Sequence, residues 1–265
     1  MTSQVYSKSK LLIIKTWIFS YLIQSTCGRR PSHNHPIPHI QPRVLGGQTA
    51  VQTQFPYQVQ VIAEGSSYEK RCGGSIITQN HILTAAHCVD GDEAVSIRAG
   101  TTIFKVGGVV KMVSNVTMHP EYSAYHNDIA ILELESALEF NPFIKSIPLA
   151  TSSIPKGATV TVSGWGLMLH NRHAFLLQYD TEYTISHGEC VKRLHYLADS
   201  MCCFVNPASH GVCSGDSGGP AVLNGKLVGV ASYVVGFCGS KYPDVFTDVF
   251  VAREWILENT KTSVD

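Results

Sequence analysis

The chain has little charge and no surplus of either sign. Charged residues make up 15% of its 265 positions, and twenty basic side chains cancel twenty acidic ones. That balance removes the electrostatic basis for binding nucleic acid or an anionic membrane, so neither is expected as a partner. The chain also lacks an unbroken apolar run long enough to span a bilayer. Its most apolar stretch, Leu11 to Ile23, is interrupted by Lys15 and Thr16. No two of the eight cysteines stand as a CxxC pair, which removes the common zinc and redox spacings. No internal repeat is visible. What remains, with 44% hydrophobic residues, is a chain able to bury a core as one large or two small globular units.

Lys8 and Lys10 precede the Leu11–Ile23 run, and small residues follow at Ser25 and Cys27. This is the layout of a secretory signal over residues 1–27, cleaved near Gly28. A disordered tail is the alternative; the cysteine count favours the signal, because eight cysteines read most simply as disulfides of an extracellular protein. Asn115-Val116-Thr117 is then a usable glycosylation site at Asn115. The next segment, 29–43, is rich in proline (Pro31, Pro36, Pro38, Pro42) and has no apolar periodicity, so it reads as extended and exposed. His33, His35 and His39 lie in it without a partner cluster and read as solvated linker residues, not metal ligands.

From Val44 onward, short apolar or alternating runs recur at Tyr57–Val61, Ser75–Ile77, Ile129–Leu134, Thr159–Val162, Ala221–Leu223, Lys226–Ala231 and Val245–Phe246. Turn residues such as Gly73-Gly74, Gly107-Gly108, Gly164 and Gly166 separate them. Many short strands at this spacing predict an all-β barrel or sandwich. Asn224-Gly225 between two apolar runs predicts a tight hairpin. Only the end reads as helix, from a cap at Asp248 through about residue 260, with Phe250, Val251, Trp255 and Leu257 on a mixed apolar face.

Three stretches carry chemistry. Thr84-Ala85-Ala86-His87-Cys88 presents a histidine among small residues, Asn127-Asp128-Ile129 opens a strand with an acid, and Gly215-Asp216-Ser217-Gly218-Gly219 presents a serine among glycines. Serine attack on a carbonyl needs a base, an acid to orient the base, and donors for the developing oxyanion. Each piece alone is a weak signal; their conjunction in the order His, Asp, Ser is strong. A lipase-type hydrolase would place the acid before the histidine.

With RVLGG (43–47), CGGSII (72–77), LTAAHC (83–88), NDIAIL (127–132), SGWG (163–166) and CSGDSGGP (213–220), the chain from Val44 to its end resembles the chymotrypsin/trypsin-like serine peptidases. The resemblance implies two six-stranded antiparallel β-barrels with a C-terminal α-helix, and a peptidase domain over 44–265 behind an activation propeptide over 28–43. It puts His87 as general base, Asp128 as its orienter and Ser217 as nucleophile. The backbone N–H groups of Gly215 and Ser217 would form the oxyanion hole, and Ser232 would line the substrate strand and support Asp128. Disulfides Cys72–Cys88, Cys190–Cys203 and Cys213–Cys238 are implied, with Cys27 and Cys202 left over. Cleavage after Arg43 would free the Val44 ammonium to pair with Asp216, a buried acid that is costly to leave unpartnered.

The resemblance breaks at the specificity pocket. Where trypsin-like members carry a floor aspartate for substrate Arg or Lys, this chain has Gly211, with Val212 beside it. Asp244 instead places an acid on the pocket wall near its base, as in members with broad or collagenolytic specificity. Tyr233 stands where tryptophan is common, and Val234 narrows the entrance. The implied function is a secreted serine endopeptidase, made as a zymogen and monomeric, with altered trypsin-like specificity. Its partners would be protein or peptide substrates, a trypsin-like activator and protein inhibitors. The alternative is a catalytically silent homologue that binds proteins or inhibitors. No cofactor is expected, and no metal, because Gly100 to Val110, matching the loop of calcium-binding relatives, contains no acid.

Overall fold

The computed structural model describes residues 47–261, apart from 93, 169–171 and 207–209. The expected signal segment 1–27, the propeptide 28–43, Cys27, Arg43 and Val44 lie outside the described residues. The first strand, β1 (Gln48–Thr49), is short. It is followed by six strands that close a barrel: β2 (Gln58–Glu64), β3 (Glu69–Ile76), β4 (His81–Thr84), β5 (Ala94–Ala99), β6 (Val109–Met118) and β7 (Ala130–Leu134), in the order β2-β3-β4-β7-β6-β5. Burial alternates strictly along β5, as expected of a strand with one face on a core. β4 is buried throughout. Val59, Ile76, Ile82, Ile97 and Leu132 fill the centre, each at 0% exposure.

The second barrel uses β8 (Thr159–Gly164), β11 (Gln178–Thr184), β12 (Met201–Val205), β13 (Pro220–Leu223), β14 (Lys226–Tyr233) and β15 (Asp244–Asp248). Its order is β11-β12-β15-β14-β13-β8, closed by pairing of β8 with β11; β1 adds to the outer side of β11. A small hairpin, β9 (Leu167–Met168) with β10 (Arg172–His173), stands apart. Phe204 and Phe246, ring centroids 4.7 Å apart, anchor this core. Burying an aromatic of this size contributes about 1.5–3 kcal/mol. The Asn224-Gly225 hairpin forms as expected, with both residues at positive φ and Leu223 paired with Lys226.

The architecture is therefore the two six-stranded antiparallel barrels that the resemblance implies. Three local features differ from the sequence reading. Gly73-Gly74 is not a turn but lies inside β3. A Cβ on Gly73 would come within 2.8 Å of the Gly219 Cα, so the glycine lets a loop of the second barrel approach the first-barrel backbone. A helix, α1 (His187–Leu194), appears where none is expected; its N-cap Ser186 accepts from the Glu189 N–H. The terminal helix α2 (Arg253–Glu258) begins later than the sequence suggests, because Asp248 instead accepts from Phe250 and Val251 in a preceding turn. Val249, Ala252 and Ile256 pack into the first-barrel core although they follow the second barrel in sequence.

Candidate active site

Asp128 sits two residues before β7, at the seam of the barrels, and is 2% exposed. Four bonds fix it. The His87 backbone N–H donates to Oδ1 at 3.0 Å, and the His87 ring Nδ1 meets Oδ2 at 2.7 Å. From the second barrel, the Ser232 hydroxyl donates to Oδ2 at 2.5 Å, and the Thr247 hydroxyl donates to the Asp128 carbonyl at 2.7 Å. Burial works to raise the Asp128 carboxyl. Donation and charge from His87, joined by Ser232, outweigh burial and hold it below the ordinary aspartate range. The acid is thus ionised and oriented on one imidazole nitrogen. His87 itself lies on a single 3-10 turn, Ala86–Cys88, tied to β3 by the Cys72–Cys88 disulfide.

The Ser217 loop is held from several sides. The Gly73 N–H donates to the Ser217 carbonyl at 2.7 Å, and the Gly218 N–H to Ala231 at 2.7 Å. A Cβ on Gly218 would lie 2.2 Å from Thr84 Oγ1 and 2.5 Å from the Gly73 carbonyl, at a φ of +76° that side chains rarely adopt. This is where the serine loop presses against the segment leading to His87. Asp216 N–H donates to the Cys213 carbonyl and Leu167 N–H to Ser214. Among the described residues, the N–H groups of Gly215 and Ser217 find no acceptor, so both donors stay free at the turn. Among the described residues, no hydrogen bond joins Ser217 Oγ to His87. Such contacts are often long until a substrate is bound.

Asp216 points away from the serine into a pocket made by two other glycines. Its Oδ1 accepts from the Gly166 N–H at 2.7 Å and its Oδ2 from the Cys213 N–H at 3.0 Å. A Cβ on Gly164 or Gly166 would fall within 2.0 or 2.3 Å of that carboxylate. Gly164 and Gly166 thus give way to a buried acid. Burial lifts Asp216 to about 6, against the pull of its two backbone donors.

Beside Ser217 opens a cavity of about 150 Å³. Of the residues expected to bind substrate, Val212, Ser232, Tyr233 and Val234 line it. Cys213, Ser214 and Ala231 complete the wall, and the Cys213–Cys238 disulfide ties it to the loop after β14. Tyr125 meets the Tyr233 ring edge-on at 5.3 Å. Gly211 and Asp244 are not among the lining residues. Asp244, expected on the wall, stands one layer behind the floor, where its Oδ2 accepts the Val212 N–H at 3.1 Å. Gly211, at φ +123°, is the space that the acid occupies: a Cβ there would be 2.3 Å from Asp244 Oδ2.

The three expected disulfides are present, and Cys202 is free. Burial, and then the charge of Asp248, pushes the Cys202 thiol well up, which keeps it protonated. Asn115 is exposed on β6, its amide donating to Thr117 Oγ1 at 3.2 Å. Sequence reasoning missed Thr247 and Thr84, whose hydroxyls clamp Asp128 and Gly73. It also missed Glu182 and Asn206 behind the pocket floor.

A double barrel with a serine loop in the seam beside an oriented imidazole is the arrangement of one class of serine endopeptidases, the chymotrypsin-type. Residues 44–256 match the family model described as Trypsin. Trypsin alpha of Drosophila melanogaster is 37% identical over 236 residues, covering 85% of this chain and 91% of its own. Serine protease SP24D of Anopheles gambiae is 36% identical, over 81% of this chain and 80% of its own. Among solved structures, HL collagenase superposes with a TM-score of 0.78 at 30% identity, covering 83% of this chain and all of its own. The scabies mite inactivated protease paralogue S-D1 gives 0.75 at 28%, over 82% and 97%. The chain belongs to the trypsin family of serine endopeptidases and is a hydrolase.

Proposed function

We propose that this chain is a secreted endopeptidase that cleaves protein substrates through His87, Asp128 and Ser217, and is made as a zymogen activated after Arg43. The carrying observation is the bond chain from Ser232 through the buried, ionised Asp128 to His87 Nδ1. An acceptor on Nδ1 fixes the proton there and leaves Nε2 unprotonated, free to take the Ser217 proton as the hydroxyl attacks the carbonyl. The oxyanion then meets the free N–H groups of Gly215 and Ser217, and His87 hands its proton to the leaving amine. Water repeats the cycle on the acyl-enzyme. The cavity lined by Val212, Ser232, Tyr233 and Val234 receives the side chain before the scissile bond. Asp244 behind it supplies negative potential for Arg or Lys, and Val234 narrows the entrance, which gives an altered trypsin-like specificity.

Secretion is supported by the signal-like residues 1–27 and by the three disulfides, and glycosylation at Asn115 by its exposure. Activation follows from Asp216. A carboxyl lifted to about 6 by burial gains most from a cation, and the Val44 ammonium freed by cleavage supplies one. Arg43→Gln is therefore expected to give a secreted protein that trypsin treatment does not activate. Labelling of Ser217 by an organophosphate should follow the same pattern, strong after cleavage and absent in the variant. Full activity of Arg43→Gln would overturn the zymogen reading, and failure of the cleaved wild type to label would overturn the catalytic one.

Ser232 is a positioning residue in this scheme. Ser232→Ala removes a hydrogen bond to a charged acceptor, worth about 1.5–3 kcal/mol, so kcat should fall at least about tenfold with KM changing less. Ser232→Thr should restore much of the loss. A fall confined to KM would mean that Ser232 serves the pocket wall alone.

A further inference from the structure

Behind the pocket floor lies a polar cluster that the proposed chemistry does not use. Tyr183 on β11 pairs with Val205, and Phe204 on β12 pairs with Asp244 on β15. By strand alternation Glu182, Asn206 and Asp244 share one face, turned into the second barrel. Glu182 is 0% exposed, and no hydrogen bond reaches either of its carboxyl oxygens; the Asn206 amide oxygen and nitrogen are buried and unpartnered as well. A buried, unpaired carboxylate beside a second acid is among the least tolerable arrangements in a protein interior. Two such acids relieve the repulsion by holding a proton between them.

We propose that Glu182 is a specificity-determining residue: it forms an acid pair with Asp244 behind Gly211 and Val212 that is neutral while both carboxyls are protonated, and a substrate Lys or Arg entering the cavity must expel one of the two protons. The inference rests on the reading of the cavity beside Ser217 as the substrate pocket. When the cation arrives, one carboxyl proton leaves to solvent, the other stays shared between Glu182 and Asp244, and the pair goes from neutral to one negative charge. Neutral side chains require no such exchange. The enzyme therefore discriminates in favour of basic residues only once the pair can ionise, and at lower pH it accepts neutral and basic residues more evenly.

The surroundings agree. Burial first, and then the charge of Asp244, push Glu182 well above the ordinary glutamate range, with Asp180 adding to the effect. Burial lifts Asp244 to about 7, opposed by the Val212 N–H and helped by Asp216. The other acid on β11, Asp180, is already engaged with His210 Nδ1 at 2.9 Å. Among the described residues no Lys or Arg side chain bonds to Glu182 or Asp244.

The test is the ratio of kcat/KM for an arginine substrate over a leucine substrate between pH 5 and 9, measured on the cleaved enzyme. Titrations of the shared catalytic groups cancel in this ratio. In the wild type it should rise about tenfold per pH unit up to a midpoint near neutrality and then level off. In Glu182→Gln, whose amide can donate permanently to Asp244, the midpoint should move at least about one unit to the acid side. A second measurement needs no variant. Benzamidine, a rigid amidinium, should release up to about one proton on binding at pH 6 and almost none at pH 9, read by calorimetry in two buffers of different ionisation enthalpy. Arginine cleavage with a pH-independent ratio, an unmoved midpoint in Glu182→Gln, or binding without proton release would overturn the inference and leave the pocket reading standing. Absence of Arg and Lys cleavage at every pH would instead overturn the pocket reading beneath it.

Discussion

Replacing Ser217 with alanine is expected to lower kcat about a million-fold, and adding His87→Ala to that variant should lower it hardly further. The reason lies in how the two side chains depend on each other. The bonds at Asp128 hold His87 Nδ1, and in the proposed mechanism they leave Nε2 as the base. That base has no function without a hydroxyl to deprotonate, and the hydroxyl is a weak nucleophile without the base. The residual rate of both variants should be similar and above that of water, because the free N–H groups at residues 215 and 217 are backbone and survive both substitutions. Single-turnover rates on an activated ester would read this directly. Additive losses would show that His87 and Ser217 do not act as a unit. Retention of turnover in Ser217→Ala would place the nucleophile elsewhere.

Much of this site could be read from the sequence, because its parts are local motifs. GDSGGP states its own physics: Gly215 and Gly218 need positive φ, and Gly218 needs room beside Thr84. The NDIAIL acid announces itself by opening a buried strand. What the sequence hid were the residues whose role depends on register across the barrel. Gly73-Gly74 looks like a turn because glycines usually break strands, yet here the Gly219 backbone of the distant serine loop leaves no room for a Cβ at Gly73, while Val59, Val61 and Ile82 crowd Gly74. Glu182 was hidden for a related reason. In Gln178-Tyr-Asp-Thr-Glu-Tyr-Thr184 the apolar-looking tyrosines alternate with polar residues, so pattern alone turns the tyrosines inward. The structure does the reverse, burying Gln178, Glu182 and Thr184 and exposing Tyr183. Helix α1 was missed because its exposed face is so polar that only Cys190 is buried, held there by its bridge to Cys203.

The opposite exchange at the pocket base should have the second large effect. Gly211→Asp, which would restore the floor charge of ordinary trypsin-like members, is expected to cost this protein about 3 kcal/mol or more. The new Cβ would stand 2.3 Å from Asp244 Oδ2 and 3.1 Å from Asn206 Nδ2, at a φ of +123° that an aspartate rarely adopts. It would also add a third acid to the Glu182–Asp244 pair. For a folded unit of this size the apparent Tm should drop by about 6–12 °C. The deficit should widen as pH rises, and the sign follows from linkage. A carboxyl lifted above its unfolded value binds its proton more tightly in the folded state, so stability falls as pH climbs from about 4 to the folded value, near 7 for Asp244. Asp128 acts in the other sense, since its depressed value contributes stability that is lost only on acidification. Adding Asp244→Gly to Gly211→Asp should recover most of the lost Tm, because contact and repulsion vanish together while the strain of the φ remains. The same double variant should cleave after Arg with a ratio to Leu that no longer climbs through neutrality, since the floor acid would face the cavity and not the buried Glu182. If Gly211→Asp alone melts like the wild type, the acid of residue 244 does not occupy the space behind residue 211, and the pocket's charge must come from another group.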